Sequence, residues 1–259
     1  MSTTFFVGKS SPLRRLNPVT KLVAMLSIIV IVFAIPVWWV SVLMIVVVIL
    51  PAAVVSGSGG RLVSLSLKLL LPILVVLLVV QGLFFPEGTT VIAQFGPAHL
   101  TVEGLLFALG IGTRLIVLVL CSLLLLLTTH PGDLMSALTE RGMSPKISYV
   151  ISSTLQIIPA FRTRADSILL AQQSRGLRLK GSPIRRVRGL LPLVTPLVIG
   201  MFTDVEERST AMEARAFGST AKRTSLSTVP DSTLQRVARW TFVVLAVAAI
   251  ATPRVIGAL

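Results

Sequence analysis

The sequence predicts an all-α, polytopic membrane protein with about five transmembrane helices and a cytoplasmic module of long helices inserted before the last span. Three observations carry that prediction. Of 259 residues, 54% are apolar and only 13% are charged, against about 25% charged in an ordinary soluble domain. The apolar residues gather into runs at 22–55, 65–85, 105–127, 190–202 and 240–259, and a spanning helix needs about 20 of them in succession. The formal net charge is nevertheless +14. The basic residues must therefore sit between the runs, where water and lipid headgroups receive them.

In chain order, residues 1–21 read as a cytoplasmic N-terminal tail and 22–129 as a membrane domain of four helices. The run 22–55 is too long for one crossing and too short for two upright ones. Pro36 sits at its middle, with Trp38 and Trp39 just beyond. Proline ends or kinks a helix and tryptophan favours the membrane interface, so two short, tilted helices are expected to meet near the outer surface. The run far exceeds a signal-peptide core, and the first helix is expected to target the chain. The spans at 65–85 and 105–127 follow, joined by a loop 86–101 that holds Glu87 and His99 but neither lysine nor arginine. With the N-terminus inside, all of the 24 lysines and arginines fall on the cytoplasmic side except Arg114, within the fourth span, and Arg254, near the C-terminus. That asymmetry sets the orientation. Cys121 is the single cysteine; it forms no disulfide within the chain and reads as a small hydrophobe.

Residues 130–233 differ in character. They are mostly charged and amphipathic, and their one apolar stretch, 190–202, contains Pro192 and Pro196. It is too short to span and is expected to be buried or interfacial. A short helix over 134–141 should stop at Gly142, with Pro145 beyond. A long helix over 147–175, interrupted or kinked at Pro159, should stop at Gly176. A basic stretch follows (Arg178, Lys180, Arg185, Arg186, Arg188), then a helix over 200–216 that stops at Gly218. Glycine just past a helix and proline beyond it are stop signals. The serine- and threonine-rich stretch 220–232 reads as a connector to the C-terminal transmembrane helix, 234–259.

The two long helices end alike, in Gln172-Gln173-Ser174-Arg175-Gly176 and in Met212-Glu213-Ala214-Arg215-Ala216-Phe217-Gly218. Each places one arginine among small neighbours. The residues alone leave two readings open. Arginine is favoured at the negative end of a helix dipole. Alternatively, small flanks let it enter a groove on a partner and grip a carboxylate through a bidentate, charge-assisted bond.

Several functions are excluded. No Gly-x-x-x-x-Gly-Lys-Ser/Thr stretch is present, so the chain has no phosphate-binding loop of that type. His99 and His130 lack metal-ligand spacing, so no metal or cofactor is expected. Asp204, Glu206, Glu207 and Glu213 lie among arginines and read as a solvated, ion-paired helix face. No nucleophile constellation marks an enzyme. The basic residues lack interleaved aromatics, which speaks against nucleic acid. Glu103 is the one acid in a span, at its edge, and Arg114 reads as snorkelling or paired within the bundle.

At its paired arginines the sequence resembles the transmembrane T component of energy-coupling factor transporters, the family that includes the cobalt permease CbiQ. That family carries two Ala-Arg-Gly motifs at the ends of coupling helices, matched here by Ser174-Arg175-Gly176 and Ala214-Arg215-Ala216, each departing at one small flanking position. Leu16-Asn17-Pro18-Val19-Thr20-Lys21-Leu22 is similar to the family's N-terminal Asp-Pro-Arg-Thr-Lys-Leu pattern. Leu127-Thr128-Thr129-His130-Pro131 resembles the exit from its fourth membrane helix, and Ile157-Ile158-Pro159 an apolar-proline step in its coupling module. The similarity runs in order from Leu16 to Gly218. It implies a non-catalytic subunit of an importer in the prokaryotic plasma membrane. Its partners would be two ATP-binding-cassette ATPase subunits on the cytoplasmic side and a membrane-embedded S component that binds a vitamin or a transition-metal ion. Gly104, Ala108 and Gly112, spaced four apart, make a smooth helix face that could pack within the bundle or against the S component. A membrane scaffold without transport role and a self-sufficient carrier or channel are the competing readings.

Overall fold

The computed structural model describes residues 13, 16–86, 89–95, 98–177, 183–219 and 231–256. Lys9, Arg14, Arg15, Glu87, Arg178, Lys180 and most of the 220–232 connector lie outside the described residues, as do the side chains of Arg185, Arg186, Arg188 and Arg254. The chain is helical almost throughout and clusters into two compact units, Met1–Ala137 with Val229–Leu259, and Leu138–Thr228.

In the first unit, α1 (Pro18–Ala34) starts on a side-chain cap: Asn17 Oδ1 accepts from the Val19 N–H at 3.0 Å, with Pro18 at the first position. Such a proline needs no N–H and presets φ. The residue before a proline avoids helical φ/ψ, and Ile35 is accordingly extended (φ −102°, ψ 104°), ending α1 one residue before Pro36. The chain resumes as α2 (Trp38–Met44), a π-helical turn (Ile45–Ile49) and α3 (Leu50–Val55), which form one continuous apolar stretch, Trp38–Val55. The π turn abuts Pro51, whose ring and missing N–H disrupt regular i→i−4 bonding in the preceding turn. Trp38 and Trp39 stay exposed beside the Pro36 break.

Next come α4 (Gly59–Leu83) and α5 (Val102–Thr128). Between them the expected loop contains a β-hairpin, β1 (Val91–Phe95) and β2 (Ala98–Thr101), antiparallel with Gln94 opposite His99 and a bulge between Val91 and Ala93. The hairpin is stitched to α5 by Glu103, whose carboxylate accepts from the Thr89 and Thr90 hydroxyls and the Thr90 N–H. Short α6 is Pro131–Thr139, and α9 (Thr233–Ile256) returns to pack along α1.

Among the described residues four stretches are long and apolar enough to cross a membrane: Trp38–Val55, Gly59–Leu83, Val102–Thr128 and Thr233–Ala251. The fifth apolar helix, α1, has only 17 residues. It is also the most enclosed, touching α2, α5 and α9. Met25, Ile28 and Val32 on one side join Ile49, Ala53, Leu62, Val117, Leu120 and Cys121; Ile31 on the other meets Val40, Ala246 and Ala249. Lys21, expected in the tail, lies one turn inside α1 and is buried.

The second unit contains α7 (Pro145–Ser174) and α8 (Pro183–Ala214). Pro159 does not interrupt α7. The 190–202 stretch is no separate element: it is the middle of α8, which runs unbroken through Pro192 and Pro196. Nor is it buried within the chain. Leu193 is covered, but Leu191, Val194, Val198, Ile199, Met201 and Phe202 are exposed.

Candidate functional site

α7 and α8 meet at Arg164, whose Nη1 and Nη2 donate to Asp204 Oδ2 and Oδ1 at 2.7 and 3.0 Å. This fork-to-fork pair is the strongest geometry available to these groups. The hydrogen bond from Arg164 lowers the Asp204 carboxyl below its ordinary range and raises the guanidinium in turn. Gly200 makes room for it: a Cβ there would come within 3.0 Å of Arg164 Nη1. Farther along, the Tyr149 and Phe217 rings lie 5.1 Å apart. The earlier part of α7 therefore meets the end of α8, and the two helices run antiparallel.

Both helices close with the same hydrogen-bond pattern. After α7, the Gly176 N–H donates to Gln173 O (2.9 Å) and the Leu177 N–H to Gln172 O (3.0 Å). After α8, the Ala216 N–H donates to Glu213 O and the Phe217 N–H to Met212 O, each at 2.9 Å. These are Schellman caps, which need a left-handed residue just past the cap position. Gly176 provides φ 96° and Ala216 φ 52°, the latter the one non-glycine positive φ among the described residues. The cap residue itself is Arg175 in the first case and Arg215 in the second. Ser174, Arg175, Gly176, Ala214, Arg215 and Ala216 are all exposed, so each guanidinium stands at a helix end with small neighbours. Arg175 lies eleven residues past Arg164, and Arg215 eleven past Asp204. At 1.5 Å per residue each arginine sits roughly 16 Å from the central ion pair. Because the helices are antiparallel, the two point to opposite ends of the pair.

A third turn of this form lies at the expected Gly142 stop, and its arginine was not singled out from the sequence. The Gly142 N–H donates to Thr139 O and the Met143 N–H to Leu138 O, both at 3.1 Å, with Gly142 at φ 101° and Arg141 at the cap. The signal was the Arg141-Gly142 pair itself, which repeats Arg175-Gly176.

The small-residue stripe is in the bundle unit, where Gly104, Ala108 and Gly112 are buried. A Cβ on Gly104 would meet Gln81 O at 2.3 Å and Phe85 Cβ at 2.9 Å, and one on Gly112 would meet Leu74 Cδ2 at 3.1 Å. The stripe thus faces α4. Farther along α5, Arg114 Nε is buried with no hydrogen-bond partner among the described residues. His99 lies in β2, and His130 follows α5, where its Nδ1 accepts from the Gly132 N–H at 3.1 Å.

The cobalt transport protein family CbiQ matches residues 9–226 of this chain. The energy-coupling factor transporter transmembrane protein EcfT of Leuconostoc gelidum subsp. gasicomitatum is 28% identical over 247 residues, covering 90% of each chain. Its namesake from Ruminiclostridium cellulolyticum is 31% identical over 233 residues, covering 85% of each. The EcfT of Brevibacillus brevis is 36% identical over 173 residues, covering 62% of this chain and 65% of that protein.

Proposed function

The chain belongs to the CbiQ cobalt transport protein family, and on that premise we propose that it is the coupling subunit of an energy-coupling factor importer. In this reading α7 and α8 lie on the cytoplasmic side. Arg175 and Arg215 each dock into one of two ATPase subunits, and the motion of those subunits is passed to a membrane-embedded receptor that carries a vitamin or a transition-metal ion.

One observation carries the reading: two helix ends with the same Schellman cap and the same cap arginine, held at opposite ends of an antiparallel pair. Arg141 caps a turn of the same form but belongs to neither α7 nor α8, so the weight falls on the matched placement of Arg175 and Arg215 on one antiparallel pair. Two equivalent contacts suit two equivalent ATPase surfaces, and exposed arginines among small neighbours suit bidentate capture of a carboxylate. Exposed apolar side chains along both helices, among them Ile151, Leu155 and Ile158 on α7 and Val198, Phe202 and Val205 on α8, support further coverage by partner chains, because neither helix is a candidate membrane span. Surfaces of this kind mark interaction sites.

The test is purification of the tagged chain in mild detergent, with mass spectrometry of retained proteins and an ATPase assay, for wild type and for Arg175→Glu/Arg215→Glu. ATP-binding-cassette subunits should accompany the wild type, and the double variant should lose them and their activity while remaining monodisperse. Any small membrane protein retained identifies the receptor. A monodisperse wild type without ATPase would move the scaffold reading to first place.

A further inference from the structure

Residues 17–22 open α1, and three polar groups there, the Asn17 N–H, Thr20 Oγ1 and Lys21 Nζ, bond to the end of α5 or the start of α9, where the chain leaves the bundle and where it comes back. The exit is the end of α5. There Lys21 Nζ donates to Thr128 O at 3.1 Å, one of the last helical carbonyls, which lack a partner within the helix. The return is the start of α9. There the Asn17 N–H donates to Gln235 Oε1 at 3.0 Å, and Arg239 Nη1 donates to Thr20 Oγ1 at 3.2 Å. Through Nη2, Arg239 also binds Asp231 Oδ2 at 3.0 Å. Asn17, Thr20, Lys21 and Thr128 are all buried. One helical turn therefore holds both connections to the intervening 138–228 segment.

Stability alone does not call for this arrangement. Burying an ammonium costs several kcal/mol before its bonds are counted, and an apolar side chain would fill position 21 at less cost. What lysine adds is a fixed link between α1 and the last carbonyls of α5. The helix so held is the one enclosed by α2, α5 and α9.

We propose that this polar clasp is a positioning device for transport. It ties the exit and return connections to α1, so that displacement of the segment between them moves the bundle instead of being absorbed in the connections. Lys21, Thr20 and Arg239 are positioning residues that act through α1. The inference rests on the coupling role proposed above.

The experiment uses the assembled complex in lipid nanodiscs, with spin labels at Val47→Cys and Val244→Cys, two exposed positions of the bundle unit. Their distance distribution is recorded without nucleotide and after trapping with ATP and vanadate. In the wild type, trapping should shift the distribution. Lys21→Met should hydrolyse ATP within about twofold of wild type yet lose the shift, and Lys21→Arg should regain it. If Lys21→Met does not assemble, Thr20→Val, which breaks only the link to Arg239, is read in the same way. A wild-type shift in both Lys21→Met and Thr20→Val overturns the clasp. So does loss of hydrolysis and shift together in an intact complex, the mark of a merely structural residue, and so does a wild type without any shift. Absence of ATPase subunits from the wild-type preparation is a different failure. It overturns the coupling role, and the clasp with it.

Discussion

The two units are built on opposite terms. In the bundle, Val32 and Val117 are fully enclosed and a continuous cluster joins α1, α3, α4 and α5 through Ile49, Ala53, Leu62 and Leu124. In the other unit α7 buries no residue at all along its 30 positions. Among the described residues the contacts between α7 and α8 include a forked ion pair, Arg164–Asp204, and the Tyr149–Phe217 ring contact. The bundle thus derives its shape from its own core, by close packing that tolerates little change. The helix pair fixes the ends of two helices and leaves many of its apolar residues exposed. That division suits the coupling role proposed above.

The comparison breaks first at Gly104. A Cβ there would lie 2.3 Å from the backbone oxygen of Gln81, so Gly104→Val should force α4 from α5 and cost about 3 kcal/mol or more. Unfolding in detergent reports it, and a variant as stable as wild type would remove close α4–α5 contact from the account. Val32→Ala against Val150→Ala sharpens the contrast. The enclosed Val32 should cost about 2 kcal/mol and the exposed Val150 less than about 0.5. Equal costs would mean that α7 packs on something in the isolated chain.

Acid should act on the helix pair and spare the apolar core of the bundle. Asp204 has its carboxyl pKa lowered from an ordinary 3.8. Its contribution is therefore complete above that value and disappears as the pH falls through the lower folded value. Hydrogen exchange along α7 and α8 should accelerate over that acidic window, with the enclosed apolar parts of α1 and α5 around Val32 and Val117 unchanged, and Asp204→Asn should show the faster exchange already at neutral pH. No change in Asp204→Asn would mean that the ion pair is dispensable to the pair. The smallest effect belongs to Ala216→Gly. Glycine removes the left-handed strain of alanine but gains unfolded-state entropy, for a net gain of about 0.5 kcal/mol, seen as slower exchange of the Phe217 N–H. Faster exchange would show that alanine suits the turn.

Much of this was readable from residue types. Pro36 broke the first run, Gly142 and Gly176 marked helix ends, and the likeness of the two arginine ends was visible in the letters. Other features were hidden because their cause is not local. Val91–Phe95 alternates too weakly, and over too few residues, to outweigh the helical pattern around it. Pro192 and Pro196 read as breaks, yet each removes a single N–H bond, and a helix of 32 residues has neighbouring turns to hold its course. Lys21 looked like one more cytoplasmic charge. Nothing in sequence says that Thr128, more than a hundred residues later, supplies the carbonyl that receives it. The antiparallel placement of Arg175 and Arg215 likewise depends on the Arg164–Asp204 contact, which no spacing rule connects.

The π turn at Ile45–Ile49 has an outcome for how this segment tolerates insertions and deletions. The helix before it sends Val40 to the side of α1 and α9, whereas Ile49 at its end and Ala53 after it belong to the cluster with α4 and α5. A wide turn carries one residue beyond the regular count, and one residue is about 100° of rotation. Removing a single codon inside this turn would return it to regular helix and leave Ala53 and its neighbours on their present face, whereas the same deletion in the regular helix of α4 or α5 would turn every later residue by about 100°. The wide turn is therefore the place where this span can shed a residue without changing which faces it presents.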